Sequence, residues 1–282
     1  MLKRSLFVLL ILSTCVSGAL AFQDDQVTLL RKLTGASPIA EEVSLKERYE
    51  QKSRERAAQY LKEQLSEFCD QASISAYSKT GNNVIGVIKA TVKTDQWVVL
   101  GAHFDSVKNC PGANDNATGT SLVYAVAQHI ARLKNRQYNV YIVFFDEEER
   151  GLIGSRAFAN RIKEEGVNLV AAHTIDQMGW DEDGDKGIEL EMPTKALKDF
   201  YLQVAKDHGF DFPIHTTRVT STDHKAFRDI GFNAMGITEE YKNQDTTPHY
   251  HKPTDTFETV NLPYLKSTTS YVKKVFEELL SN

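Results

Sequence analysis

Between Phe144 and Ser155 the chain reads FFDEEERGLIGS, three consecutive glutamates at the end of an apolar run, followed by two glycines. Carboxylates do chemistry as metal ligands or as proton carriers, and Glu147, Glu148 and Glu149 stand where a strand should end. Residues Tyr138 to Phe145 (YNVYIVFF) are rich in β-branched and aromatic side chains and read as a buried strand. In open α/β sheets, ligands bind outside the carboxyl ends of strands. Successive side chains of a strand point to opposite faces, so two adjacent glutamates can serve one site only if the chain turns there. Gly151 and Gly154 offer that freedom. In isolation, the stretch also reads as a solvated acidic loop.

Two further apolar segments end in the same way. WVVLGA runs into His103-Phe104-Asp105, and NLVAAHTI runs into Asp176. The small-residue loop from Pro111 to Gly119 holds Asp115 where a helix should begin, and the Pro-punctuated loop from Thr247 to Thr256 carries His249 and His251. Singly, each has an ordinary reading: His103 a core histidine, Asp115 a helix cap, Asp176 a turn former, His251 a surface residue. Together at strand ends, with no cysteine among them, they suit zinc or a similar borderline divalent ion bound through nitrogen and oxygen. Asn116-Ala117-Thr118 has the form of a glycosylation acceptor, but a loop presenting Asp115 to a metal leaves no room for a glycan.

These side chains need a scaffold, and the alternation of patterns predicts one. Asp24 to Phe68 is charged and helix-favouring, with Leu29, Leu30 and Leu33, then Ala57, Tyr60, Leu61 and Leu65, at helical spacing. This predicts an N-terminal helical pair covering a sheet. From Asn83 the chain alternates. NVIGVIKATV and WVVLGAHFD read as strands, followed by a helix from Ala117 to Leu133, the strand YNVYIVFF, and a helix from Ser155 to Lys163. The strands NLVAAHTID and GIELEMP, a helix from Lys195 to His208, the strand PIHTTRV, a short helix from Asp223 to Arg228, the strand NAMGIT and a helix from Leu262 to Leu280 complete the order. The expected fold is an α/β three-layer sandwich with a central mixed, largely parallel sheet flanked by helices.

Lys3 and Arg4 precede an apolar run from Leu6 to Ile11 that is extended by small residues to Ala19-Leu20-Ala21. This is the pattern of a secretory signal over residues 1–21, with cleavage near Ala21, a single domain over 22–282, and a secreted or periplasmic location. The apolar segment is short for a membrane anchor, and Thr14 before Cys15 fits lipoprotein processing poorly. Loss of residues 1–21 removes two positive charges, so the net charge goes from −5 to −5 − 2 = −7. An acidic chain without a basic cluster is a poor nucleic-acid binder. In an oxidising compartment Cys69 and Cys110 form either a disulfide or two free buried thiols, and neither has an assignable histidine partner for nucleophilic work.

His103-Phe104-Asp105-Ser106, the run from Gly112 to Gly119, Glu148-Glu149-Arg150-Gly151-Leu152-Ile153-Gly154-Ser155, Ile175-Asp176 and the run from His251 to Thr256 occur in order between about residues 83 and 261. Together they resemble the co-catalytic zinc aminopeptidases of metallopeptidase family 28. The resemblance implies a zinc exopeptidase fold, two zinc ions and peptide substrates, in a monomer. Asp115 would bridge the ions, with His103 and Asp176 completing one and Glu149 and His251 the other. Asp105 would orient His103, and Glu148 would act as general base and acid, leaving Glu147 a bystander. His249 competes with His251, which is preferred for the Pro253 and Asp255-Thr256 that follow it. Asp223-His224 would line the site or cap a helix, and Glu239-Glu240-Tyr241 would reach the cleft or lie in a solvated loop. Trp180 and Tyr250 would wall a side-chain pocket or serve as core or rim aromatics. A single-zinc glutaminyl cyclase shares this fold, and a carboxypeptidase-like exopeptidase or a non-catalytic binding module completes the alternatives.

Overall fold

The computed structural model describes residues 25–281, so the expected signal segment lies outside the described residues. Eight strands form one sheet: β1 (Gln71–Ala76), β2 (Asn82–Ile88), β3 (Gln96–His103), β4 (Asn139–Phe145), β5 (Asn168–Asp176), β6 (Ile188–Glu191), β7 (Ile214–Thr217) and β8 (Ala234–Glu239). Their order is β1-β2-β4-β3-β5-β8-β6-β7. The pairs β3–β4, β3–β5, β5–β8 and β6–β7 are parallel, and β1–β2, β2–β4 and β6–β8 antiparallel. The sheet is thus mixed, with parallel pairing at its centre, as the strand–helix alternation predicts.

The helices are α1 (25–33), α2 (Gln51–Ser66), α3 (Gly119–Arg132), α4 (Ile153–Glu164), α5 (Lys195–His208), α6 (His224–Asp229) and α7 (Leu262–Ser281). Period-2 alternation assigns the two faces of the sheet. Val98 and Leu100 of β3 pack in the larger core with Leu29, Leu61, Val123, Tyr201 and Val272, drawn from α1, α2, α3, α5 and α7. Val99 points the other way, into a smaller core with Phe158 of α4 and Phe227 of α6. Each such side chain contributes roughly 1.5–3 kcal/mol on burial. No helix among the described residues is long and apolar enough to cross a membrane.

Three local expectations are corrected. β1 is a strand where none was expected, because its QASISA sequence sits on the sheet edge, largely exposed, and offers only Ala72, Ile74 and Ala76 as a weak apolar face. β2 stops at Ile88 rather than running on to Val92, which is 45% exposed. The helix expected from Ala117 starts at Gly119, because residues Ala113–Thr118 form an irregular turn with non-helical angles at Asp115 and Asn116 and a cis peptide between them.

Candidate metal centre

β4, β3 and β5 lie side by side, so their carboxyl ends deliver Asp146 to Glu149, His103 and Asp176 to one place. After β4 the chain leaves strand geometry at once. Glu147 has φ 56° and Leu152 φ 61°, both left-handed, and Gly151 has φ 107° around a single turn Glu148–Arg150. Left-handed backbone costs roughly 1–2 kcal/mol at a non-glycine residue. The turn takes Glu148 and Glu149 out of alternation and lets both face the site. Gly154 serves differently from the expectation: its backbone is not left-handed, but an added Cβ would lie 2.2 Å from the Asp146 carbonyl oxygen, so it is needed for space.

The five expected ligands converge in two groups that share Asp115. His103 Nε2 lies 3.3 Å from Asp115 Oδ1 and 3.4 Å from Asp176 Oδ1. His251 Nε2 lies 3.1 Å from Asp115 Oδ2 and 3.0 Å from Glu149 Oε2. In each group the donor atoms fall within 4.8 Å of one another. His103 Nε2, Asp176 Oδ1 and Glu149 Oε1 are buried without a hydrogen-bond partner, which is what ligand atoms oriented for an ion look like and is costly otherwise. Histidine and carboxylate donors without cysteine suit zinc. The charge balance agrees. Burial raises Glu148 to about 10, with Asp223 and Asp176 adding to the effect despite the opposing His103. Burial likewise raises Glu149 to about 7 and Asp176 to about 6. Burial would also lower His103, but Glu148 and Asp176 hold it well above its ordinary value. Such crowded negative charge is what a divalent cation relieves. The residues present therefore fit a pair of zinc ions.

A second set of buried side chains fixes these ligands. Asp105 accepts the Glu148 and Glu149 N–H groups at 3.1 and 3.2 Å and lies 3.4 Å from His103 Nδ1, so it ties the glutamate turn to the histidine strand. Asp255 accepts the N–H groups of Asn114 and Asp115 at 2.8 and 3.1 Å. Glu239 accepts from Asn114 Nδ2 and from the N–H groups of Gly179 and Trp180. Arg48, fully buried, donates to the carbonyls of Leu33, Phe104, Pro111 and Gly112. Sequence reasoning assigned Asp255 and Arg48 no role. For Asp255 the clue was its place in a Pro-punctuated loop beside a ligand, whereas Arg48 lies in a charged, helix-favouring segment that carries no clue.

The remaining expectations sort by contact. Glu147 is outside both ligand groups but is no idle residue: it is buried, 3.0 Å from Arg54 and 3.1 Å from Arg150, and accepts from Tyr77. His249 packs edge-on against Trp180 and bonds Thr254, away from the ligand groups. Tyr250 stacks on the His251 ring at 3.8 Å and lines the cleft. Asp223 makes no capping hydrogen bond. It is buried, Ser155 donates to it, and burial raises it to about 7. Glu239 and Glu240 are buried rather than in a solvated loop, and Tyr241 reaches the cleft. Asn116 is fully buried, its amide donating to the Ile175 carbonyl, which excludes a glycan there. Cys69 and Cys110 are both free thiols. The cleft itself is about 740 Å³, bounded by Asp115, Glu148, Glu149 and Asp176 on one side and Leu152 and Tyr250 on others.

The sequence profile described as Peptidase family M28 matches residues 83–276. Aminopeptidase YwaD of Bacillus subtilis (strain 168) is 28% identical over 205 residues, covering 69% of this chain and 44% of that protein. A probable leucine aminopeptidase of Trichophyton verrucosum is 24% identical over 240 residues, covering 77% and 64%. The chain thus spans about half the length of the curated relatives it matches. The Legionella pneumophila LapA aminopeptidase structure superposes with a TM-score of 0.80 at 21% identity, covering 100% of this chain and 78% of that one. The Porphyromonas gingivalis glutaminyl cyclase superposes with a TM-score of 0.72 at 16% identity, covering 92% and 98%. These two superpositions show a shared fold. The profile match, by contrast, spans most of the chain and all five expected ligand positions, and on it the protein belongs to peptidase family M28.

Proposed function

We propose that the protein is a zinc-dependent aminopeptidase, acting as a monomer that removes N-terminal residues from peptides with the help of two metal ions. The observation that carries this reading is the orientation of Asp115, whose two carboxylate oxygens face different histidines, each with its own third ligand. His103, Asp115 and Asp176 would hold one ion, and Asp115, Glu149 and His251 the other. When bound, a zinc pair supplies Lewis acidity toward a peptide carbonyl and makes water a competent nucleophile at neutral pH. Glu148 belongs to neither ligand group; its Oε2 lies 4.0 Å from His103 Nε2 and it borders the cleft. It takes the proton of the attacking water and returns it to the leaving amine. The carboxylates around the cleft attract a free ammonium group and repel a terminal carboxylate, which favours N-terminal over C-terminal cleavage. A single-zinc glutaminyl cyclase would need only Asp115, Glu149 and His251, and would leave the His103–Asp176 pair without a task.

Elemental analysis of active protein, run beside a panel of aminoacyl and N-terminal glutaminyl substrates, tests the reading. Two zinc ions per chain with release of free N-terminal residues is expected. One zinc per chain with cyclisation of N-terminal glutamine would refute it. We infer further that the protein is exported with a mature start near Phe22, which N-terminal sequencing of the processed protein checks.

A further inference from the structure

Glu191 ends β6 and is fully buried, yet its carboxylate borders the cleft. Its Oε2 accepts the Thr222 hydroxyl at 2.6 Å and lies 3.3 Å from His224 Nδ1, while its Oε1 has no partner. Gln177, next to the ligand Asp176, lines the same cleft and also presents a buried, unpartnered oxygen. Two orphaned acceptors in one cleft are misplaced for an apolar guest and call for a donor-rich one.

The sheet places Glu191 at a definite reach from the metal centre. It pairs with Gly236 of β8, which pairs with Thr174 of β5, so Glu191 stands two strands from the strand that ends at Asp176. At about 4.8 Å per strand this is roughly 10 Å. A Cβ on Gly236 would lie 2.1 Å from Glu191 Oε2 and 2.8 Å from His224 Nδ1, so only glycine leaves the carboxylate room over β8. The Glu191 backbone is that far away, but its carboxylate reaches back over β8, one strand from β5, where it lies along the path of a side chain extending from a first residue held at the metal centre. Arg156, the positive group at the cleft wall, is half-exposed and paired with Asp229 at 3.2 Å. Water screens the exposed Arg156 and Asp229 sits beside it, so its field inside the cleft is weak next to that of the buried Glu191.

We propose that Glu191, supported by Gln177, forms the subsite for the basic side chain of an N-terminal lysine or arginine, making peptides with a basic first residue the substrate class. This rests on the aminopeptidase reading above. The test compares kcat/KM of the zinc-loaded protein on lysyl, arginyl and norleucyl 4-nitroanilides, norleucine being lysine without its ε-ammonium. Lysyl and arginyl substrates are expected to exceed norleucyl by at least about tenfold. Glu191→Gln should lower the lysyl-to-norleucyl ratio by roughly 10–100-fold. Calorimetry of free L-lysine against L-norleucine on the unaltered protein should show lysine binding more tightly, and this arm stands even if the variant fails to fold. Equal or better use of norleucyl substrate, or an unchanged ratio in Glu191→Gln, overturns the subsite alone. No turnover of any aminoacyl substrate overturns the aminopeptidase reading and the subsite with it.

Discussion

Glu148 and Glu149 are adjacent, equally anchored, and predicted to fail differently. Asp105 holds the N–H groups of both at 3.1 and 3.2 Å, so replacing either side chain with glutamine leaves the turn tied to the sheet. What changes is one carboxylate. Glu149 Oε2 stands 3.0 Å from His251 Nε2 within a ligand group, whereas Glu148 approaches His103 no closer than 4.0 Å and is outside both groups. Glu148→Gln therefore removes a proton carrier and keeps the ligands. Its kcat should fall roughly 10²–10⁴-fold, about 2.7–5.4 kcal/mol at 1.36 kcal/mol per decade, with zinc content unchanged. Glu149→Gln removes one of three charged or imidazole donors from one ion. Altering groups that merely support ligands costs 10–100-fold in metal affinity, so this variant should weaken one ion by at least about 100-fold. The assay is paired: zinc per chain after dialysis against a chelator of graded strength, and kcat on the same samples. Excess zinc should restore activity in Glu149→Gln and not in Glu148→Gln. If Glu148→Gln keeps full turnover, or loses zinc as readily as its neighbour, the division of labour is wrong.

Two predictions concern stability. His173 is fully buried, bonded through Nδ1 to the Tyr201 hydroxyl and packed against Phe276, and burial lowers it from 6.5 to about 3. The unfolded chain then binds the extra proton between those values, so this contribution is complete above pH 6.5 and is lost as pH falls toward 3. It amounts to roughly 4–5 kcal/mol over the full span. Urea titrations of the parent and His173→Gln should give stabilities that converge as pH falls, and parallel curves would contradict the buried neutral imidazole. Glu147→Ala should cost about 1.5–2 kcal/mol in the same denaturation assay, because it removes charged hydrogen bonds to Arg54 and Arg150 while Asp146 still pairs with Arg54 at 2.7 Å. A cost below about 0.5 kcal/mol would mark Glu147 as an ordinary surface acid.

The central strands and part of the candidate site were readable in the sequence for the same reason: a buried parallel strand is a continuous apolar run, so the polar residue that ends it stands out. His103 and Asp176 announce themselves in this way, whereas Glu149 was singled out from its neighbours only by the resemblance to family 28. Asp115 and His251 were readable only through the company they keep, since one sits in a small-residue loop and the other between prolines. β1 was not readable because its alternation rests on two alanines and a single isoleucine, too weak a signal to mark a strand that lies mostly exposed at the sheet edge. Glu147 illustrates a different limit. Three glutamates in a row look alike in sequence, and only the left-handed backbone at Glu147 sends one toward Arg54 and the next two toward the cleft. Glu191 was passed over within GIELEMP because an acid in a short strand reads as solvent-facing, and the room for its carboxylate depends on Gly236, its partner on the neighbouring strand.

Arg48 bears on how far this catalytic scaffold can be exchanged between proteins. Its guanidinium reaches the carbonyls of Phe104, Pro111 and Gly112, on either side of the Asp105 and Asp115 loops, together with Leu33 at the end of α1. The family profile begins only at residue 83. A chimera cut at that boundary would inherit every ligand and lose the cation that ties their loops to the preceding helix, leaving four carbonyls to find new donors. The separable unit of this fold is therefore larger than the stretch the family profile covers, and grafts meant to move the chemistry intact should carry the segment from α1 onward.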